Sequence, residues 1–408
     1  MDDLAYSYAF SMFDYPNIPL MIQKLSICIL FSLLFIQKTT AKIYHISSEQ
    51  EFKTIEPVLV PGDEVVIKNG NYTDWALTIS AKGTSTKPIS IHAEQPGIAV
   101  FSGNVAKPIF QVSGDYVLIK GINFKNCILA KKGLLIEFSA SNHCQISNCS
   151  FSGNKVSTQF TPLVVISGNG RNNSVVHSSF ISNIDNQDVQ VKITKDAYPE
   201  FTLIENNVFK DKNKVSWPNG NGGECIQIGQ DPVLLGNQSP ETTVQKNKFI
   251  HCNAENEVIS NKSSGNKYLN NYFEDNDGEL VMRGGHDCII AGNIFRGGTG
   301  GIRVNGTGHQ IINNKIEGIQ TAIRLMYGMA KGKEEIGFYI AASNCTVKGN
   351  SISNATTGIL IGDSKDADWT GKFDTKRYPS PVMQSVVPFD NVIGDNNFKN
   401  VKTEVVKQ

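Results

Sequence analysis

The 408-residue chain lacks an excess of either charge: 38 basic side chains face 38 acidic ones. Without a basic balance, nothing in the bulk composition points to nucleic acid, and any polyanion must be held by a local cluster of cations. Cysteine is also sparse. Of eight, Cys28 falls in an apolar N-terminal run. The other seven are irregularly spaced, an odd number without a CxxC pair, which excludes a disulfide framework or a zinc knuckle. Several sit inside apolar segments (Cys144, Cys225, Cys288, Cys345), as small buried hydrophobes would. Runs of helical periodicity are almost absent, so there is little to build βαβ crossovers.

The one long apolar run is residues 25–36 (LSICILFSLLFI), preceded by Lys24 and followed by QKTTA with Thr39-x-Ala41. That order is a secretory signal with its cleavage site, and the run is short for a membrane span. Residues 1–20 are acidic and aromatic for a leader, so Met21 is the expected start. Residues 1–41 are set aside as a signal region and 42–408 as one domain. A secreted or periplasmic location is expected, with no membrane contact once the signal is removed.

A short unit recurs through the rest: an apolar pair, then Asn, one residue, then Phe or Ile. It reads TLIENNVF (202–209), TTVQKNKF (242–249), KYLNNYF (267–273), CIIAGNIF (288–295), QIINNKI (310–316), CTVKGNSI (345–352) and NVIGDNNF (391–398). Asn271, Asn293 and Asn314 are 22 and 21 residues apart, and longer gaps mark inserted loops. Such a period, in segments rich in Val, Ile and Phe, describes stacked short strands. The predicted fold is all-β: a single right-handed parallel β-helix, with the Asn in tight left-handed turns and the Phe filling an interior column. SSEQEFKTIEP (47–57) reads as a short capped helix over the open N-terminal end. The polar, proline-containing segment 364–390 reads as a long loop.

One region carries more polar chemistry than stacking needs: Asn219 to Gly229 (NGNGGECIQIG), Glu255-Asn-Glu257 with Asn261-Lys262-Ser263, Arg283-Gly-Gly-His286, and Gly300-Gly-Ile-Arg303. Lys262 to Arg283 is 21 residues and Arg283 to Arg303 is 20, close to one coil each. The three are therefore expected as a basic column on one outer face. Glu255 and Glu257, two apart, project from the same side of a strand toward Asn221. Two carboxylates and an amide oxygen suit a hard cation such as Ca²⁺. Cations beside a carboxylate-held metal suit a uronic-acid polymer. Abstraction of the proton alpha to a uronate carboxylate needs that carboxylate neutralised, a base and a donor to the leaving oxygen. A lysine crowded by other cations can be the base. A solvated lysine or Glu-x-Glu pair is the bland alternative.

These residues resemble polysaccharide lyase family 6, the family of alginate lyases and chondroitinase B. The resemblance begins at PGDEVVIKNGNYTD (61–74), continues through KPISIHAEQPGIAVFSGN (87–104), and is most specific at EVISNKSSGNKYLNNYFE (257–274). It implies Lys262 as base, Arg283 as acid, Asn221, Glu255 and Glu257 as calcium ligands, and Glu224, Gln227 and Arg303 along the substrate groove. His286 is assigned to the substrate as well, although the family usually has its histidine directly after the arginine, where Gly284 stands here. The position of Gln227 is often Arg in relatives. Glu224 and the SNKS form of the lysine motif favour alginate over dermatan sulfate. The implied activity is calcium-assisted β-elimination at mannuronate-containing linkages. A dermatan or chondroitin lyase and a non-catalytic glycan-binding β-helix are the competing readings. The absence of paired aspartates on adjacent coils disfavours a pectin hydrolase. The expected partner is the acidic polysaccharide alone, bound by a monomer or weak homo-oligomer.

Overall fold

The structure, a computed structural model, describes residues 40–408 apart from Leu235. The expected signal segment lies almost wholly outside the described residues. From Ile43 onward the chain winds into a parallel β-helix. One face is a sheet of thirteen strands in chain order, from Ile43–Ile46 through Lys267–Leu269 to Val392–Gly394. A second sheet carries the other two strands of each coil. Its functional series runs Pro162–Ser167, Gln187–Val191, Ile226–Ile228, Glu257–Lys262, Glu279–Gly284, Ile302–Val304 and Thr321–Met326, every pairing parallel.

The repeat explains the stack. Asn207, Asn247, Asn271, Asn293, Asn314, Asn350 and Asn396 form a ladder in which each side-chain amide donates to the Oδ1 of the next at 3.0–3.1 Å. Each amide also donates to a strand carbonyl of the preceding coil, as Asn271 does to Val244 at 2.9 Å. The buried side chains are thus fully occupied, which burial of an amide requires. The left-handed conformation does not fall on the ladder Asn itself. It falls one residue earlier, at Asn206, Lys246, Asn270 and Asn313, with φ between 54° and 56°. That residue turns the corner, and the turn aims the following Asn inward.

Two residues beyond the ladder Asn, the aromatic column forms as expected. Phe124, Phe151, Phe180, Phe209, Phe249, Phe273 and Phe295 stack with centroids 4.4–5.0 Å apart and planes within 13°. Each such pair contributes about 0.5–1.5 kcal/mol beyond burial. The seven cysteines of the described residues are free and buried. Burial pushes the Cys127 and Cys288 thiols up to about 12, so they behave as small apolar fillers.

At the N-terminal end, Glu49–Ile55 is a helix closed by a capping box between Ser48 and Glu51, and it plugs Phe52 into the core. Near the other end, the segment 364–390 does more than connect. Its Trp369, Phe373 and Tyr378 pack with Met329, Phe338, Tyr339 and Val233 in a satellite apolar cluster. Phe338 and Phe373 stack at 4.5 Å. Two insertions therefore build a wall against the functional face.

The ladder makes a direct prediction. Asn271→Ala removes the acceptor of the Asn247 N–H and side-chain amide, and the side-chain donor to Asn293 Oδ1 and the Val244 carbonyl. It should lower unfolding free energy by roughly 2–4 kcal/mol in a denaturant titration, well above an ordinary surface change.

Candidate active site

The site lies where the strand Glu257–Lys262 sits between Ile226–Ile228 and Glu279–Gly284. The register between the last two strands is broken twice. Val258 is extra on one strand and Arg283 on the other, so Asn261 pairs with Met282 while Lys262 pairs with Gly284. Bulges of this kind twist a strand and re-aim a side chain. Arg283, freed from the ladder, leans over Phe338 and Tyr339, its guanidinium carbon 5.3 and 5.6 Å from their ring centres.

The strand register corrects the expected basic column. Arg303 is in register with Val281, not with Arg283, in a file that runs Gln190, Gln227, Ser260, Val281, Arg303, Arg324. The coil between these two strands is 22 residues long, so the 20-residue spacing leaves Arg303 two places short of Arg283. Arg303 turns instead to the carboxylates. Its guanidinium donates to Glu257 at 2.5 Å and stands 3.9 Å from Glu279. Glu279 in turn binds Arg324, which reaches Asp363 at 2.7 Å. Arg303 and Arg324 line a separate hollow of about 220 Å³ with Asn256, Asp277 and Thr299.

The main cleft, about 410 Å³, is lined by Lys262, Arg283, Asn221, Glu224, Gln227 and Glu255 among the expected residues. His286 is not in its lining. It is buried against the next coil, where its Nδ1 accepts the Thr307 N–H. Neighbouring His309 is held the same way, Nδ1 accepting from the Cys288 N–H at 3.1 Å and Nε2 facing the Asn305 carbonyl at 3.0 Å. A backbone N–H cannot donate to a protonated ring nitrogen, so both rings are fixed neutral. Burial pushes each down to about 4, helped at His286 by the nearby Lys333 and at His309 by His286 itself. The extra glycine between Arg283 and His286 thus places the histidine in the stack rather than beside the arginine.

Glu224, Glu255 and Glu257 bring their carboxylate oxygens within 4.8 Å of one another, all buried. Glu224, expected along the substrate groove, does line the cleft and also joins the carboxylate group. The turn at 219–224 makes this possible. Gly222 is left-handed at φ 93°, and a Cβ on Gly223 would lie 2.6 Å from that of Ala254. The two glycine amides can therefore close on Glu255, donating at 2.6 and 3.3 Å. Asn221 beside them is exposed at the cleft mouth.

Glu224 is held by Gln187 at 2.9 Å and Gln227 at 2.8 Å, and Gln190 donates to Gln227 at 2.7 Å. Burial, with Glu224 and Glu257 close by, pushes the Glu255 carboxyl up to about 9. Burial works against Glu257 too, but Arg283, Arg303 and Lys262 bring it down to about 2. Glu257 Oε2 is buried with no hydrogen-bond partner. Three crowded carboxylates with an orphaned oxygen are a donor set that fits a hard divalent cation.

Lys262 stands across from them, 4% exposed, and forms no ion pair among the described residues. Burial, joined by repulsion from Arg283, holds its ammonium below the usual lysine range. The cleft also takes in Phe160, Gln190, Gln230, Pro232, Phe338, Arg377 and Tyr378, none of which sequence reasoning singled out. The aromatic density of 364–390 was the one available signal for the last two.

Fold and site define a β-helix protein with a carboxylate-and-cation cleft, and the comparisons give it a family. The model of the Chondroitinase B family matches residues 46–407, so the chain belongs to this family, polysaccharide lyase family 6. No curated protein matches the chain. Among solved structures, a mannuronic-acid-specific family 6 lyase from human gut microbiota is 24% identical with a TM-score of 0.72, over 90% of this chain and 82% of its own. A family 6 lyase from Pseudopedobacter saltans is 20% identical with a TM-score of 0.72, over 89% and 92%. The alginate lyase AlyGC is 22% identical with a TM-score of 0.72, over 90% of this chain and 53% of its own. At these identities the likeness is one of fold.

Two predictions follow from the geometry. Adding Ca²⁺ to metal-free protein should raise the thermal midpoint, because a ligand at a hundredfold its dissociation constant stabilises by about 2.7 kcal/mol. Glu255→Gln should remove most of that rise, and an unchanged midpoint in the parent protein would exclude the carboxylate cluster as a cation site. The histidines give a pH signature. Their folded pKa of about 4 lies below the ordinary 6.5, so the unfolded chain takes up protons that the folded chain refuses. Their contribution is present above pH 6.5 and is lost as pH falls from there toward 4. His309→Asn should flatten the stability profile in that window, measured by denaturant melts across pH.

Proposed function

We propose that this chain is a secreted or periplasmic lyase that cleaves alginate, at mannuronate-containing linkages, by β-elimination. The observation that carries the reading is the convergence of Lys262 and Arg283 on one cleft with a buried carboxylate cluster, Arg283 Nη1 standing 3.8 Å from Glu257. In this reading Lys262 in its neutral form takes the C5 proton of a uronate. The electron pair left behind closes a C4–C5 double bond and the C4–O bond breaks. Arg283 faces the departing glycosidic oxygen as donor. Bound Ca²⁺ would neutralise the uronate carboxylate and stabilise the negative charge that grows on it.

Asn221, Glu224, Glu255 and Glu257 would hold the cation, while Gln190 and Gln227 hydrogen-bond the sugar. Arg303 acts from behind, keeping Glu257 ionised. The low proton affinity of Lys262 supports the base role, since a general base works best near the ambient pH. Solved family 6 structures described as alginate lyases support alginate as the substrate class. The Chondroitinase B description of the family model keeps dermatan sulfate as the second reading. The signal-like order of Lys24, the apolar run 25–36 and Thr39-x-Ala41 supports the location.

The test is incubation with alginate, dermatan sulfate and polygalacturonate, following ultraviolet absorbance of the unsaturated product with and without Ca²⁺. Signal on alginate is expected, and Lys262→Ala should lower kcat by roughly 10²–10⁴-fold with the fold retained. Silence on alginate would refute the substrate. Full activity in Lys262→Ala would refute the base.

A further inference from the structure

Phe160 stands out among the aromatic residues at coil corners. Three of these, Tyr116, Phe160 and Phe201, have left-handed backbone, at φ 51°, 61° and 55°. A bulky side chain adopts that conformation only when its surroundings impose it. In two cases the ring has an evident partner. Tyr116 stacks on His143 with centroids 4.5 Å apart, and Phe201 lies under the Arg171 guanidinium at 5.0 Å. Phe160 has no aromatic or cationic partner among the described residues, and it is 53% exposed. It is also the one of the three that lines the cleft.

The loop that carries it is fixed. Gln159 donates from Nε2 to Asn219 Oδ1 at 2.6 Å and to the Asn221 carbonyl at 2.9 Å. A Cβ on Gly222 would meet Phe160 Cδ1 at 3.3 Å, so the ring rests against the turn that grips Glu255. Phe160 approaches from the coil before Gln187–Val191, whereas Phe338 and Tyr378 come from insertions after Thr321–Met326. Exposed apolar surface held rigidly at the rim of a polar cleft marks a contact waiting for a ligand.

We propose that Phe160 is a stacking platform for a pyranose ring of the bound polysaccharide, next to the ring whose carboxylate faces the acidic cluster. This rests on the alginate reading above. A β-mannuronate chair carries its H1, H3 and H5 axially on one face, and these weakly positive C–H bonds match the negative face of a phenyl ring. The platform would make the enzyme favour oligosaccharides long enough to cover both positions, and it adds a specificity contact that the carboxylate and cation groups do not supply.

The experiment titrates a mannuronate tetramer, in the presence of Ca²⁺, into Lys262→Met and into the same variant carrying Phe160→Ala or Phe160→Tyr. Phe160→Ala should weaken binding roughly five- to tenfold and Phe160→Tyr should restore it. In the active protein, Phe160→Ala should raise KM on polymannuronate by a similar factor with kcat changed far less. Equal affinities for the alanine and parent proteins would overturn the platform and leave the lyase reading standing. Wild-type protein that binds the tetramer but releases no unsaturated product would sink the lyase reading while leaving the platform. Failure of the Lys262→Met protein with Phe160 intact to bind the tetramer, together with no unsaturated product from the wild type, would overturn both.

Discussion

The asparagine ladder ties each coil to the next through a side-chain amide that has donors and acceptors on both neighbours, so coils cannot slide without orphaning buried polar groups. A slip of one residue would also turn the phenylalanine column out of the core. The functional face inherits this rigidity. Gln190, Gln227 and Ser260 sit in file because the stack holds them there, and the carboxylates of adjacent rungs are forced together whether or not they repel. Chemistry on this fold is thus placed by rungs that cannot move apart.

Against that regular background the site is built from departures. Two bulges between Glu257–Lys262 and Glu279–Gly284 break the register and release Arg283. A left-handed glycine and a glycine too crowded for a side chain close the 219–224 turn on Glu255. Insertions bring aromatic rings under Arg283. Charge is arranged with the same economy. Arg303 and Arg324 are bound up with Glu257, Glu279 and Asp363, and Lys262 has no ion-pair partner among the described residues. Burial and the nearby Arg283 lower the proton affinity of Lys262 against the pull of the carboxylates, while Glu257 beside the arginines stays ionised. The two ends of the cleft are tuned in opposite directions by their neighbours.

Much of this was legible in the sequence. The ladder asparagines, the phenylalanine column and the capped helix at Glu49–Ile55 each carry a local signature, because the repeat fixes what every position must do. Lys262, Arg283, Glu255 and Glu257 stand out in the sequence because they exceed what stacking needs, and the fold gathers them at one place. The misplacements share a different cause. Counting puts Arg303 beside Arg283, but the coil there is 22 residues, not 20, so Arg303 pairs with Val281. His286 was read as a displaced substrate ligand, but two glycines let it fold back into the stack. Glu224 joined the carboxylates through a turn whose shape depends on Gly222 and Gly223. Phe160, Arg377 and Tyr378 come from loops whose docking is a tertiary event with no periodicity to announce it.

The central claim is that one uronate sits with its carboxylate at the Glu224–Glu255–Glu257 cluster and its C5 hydrogen toward residue 262. A crystal structure of Lys262→Met with Ca²⁺ and a mannuronate oligosaccharide measures this directly. The account predicts a cation among the three carboxylates, bridged to a sugar carboxylate, with that sugar's C5 facing the methionine. A saccharide lying elsewhere on the helix, or one whose carboxylate points away from the cluster, would contradict it.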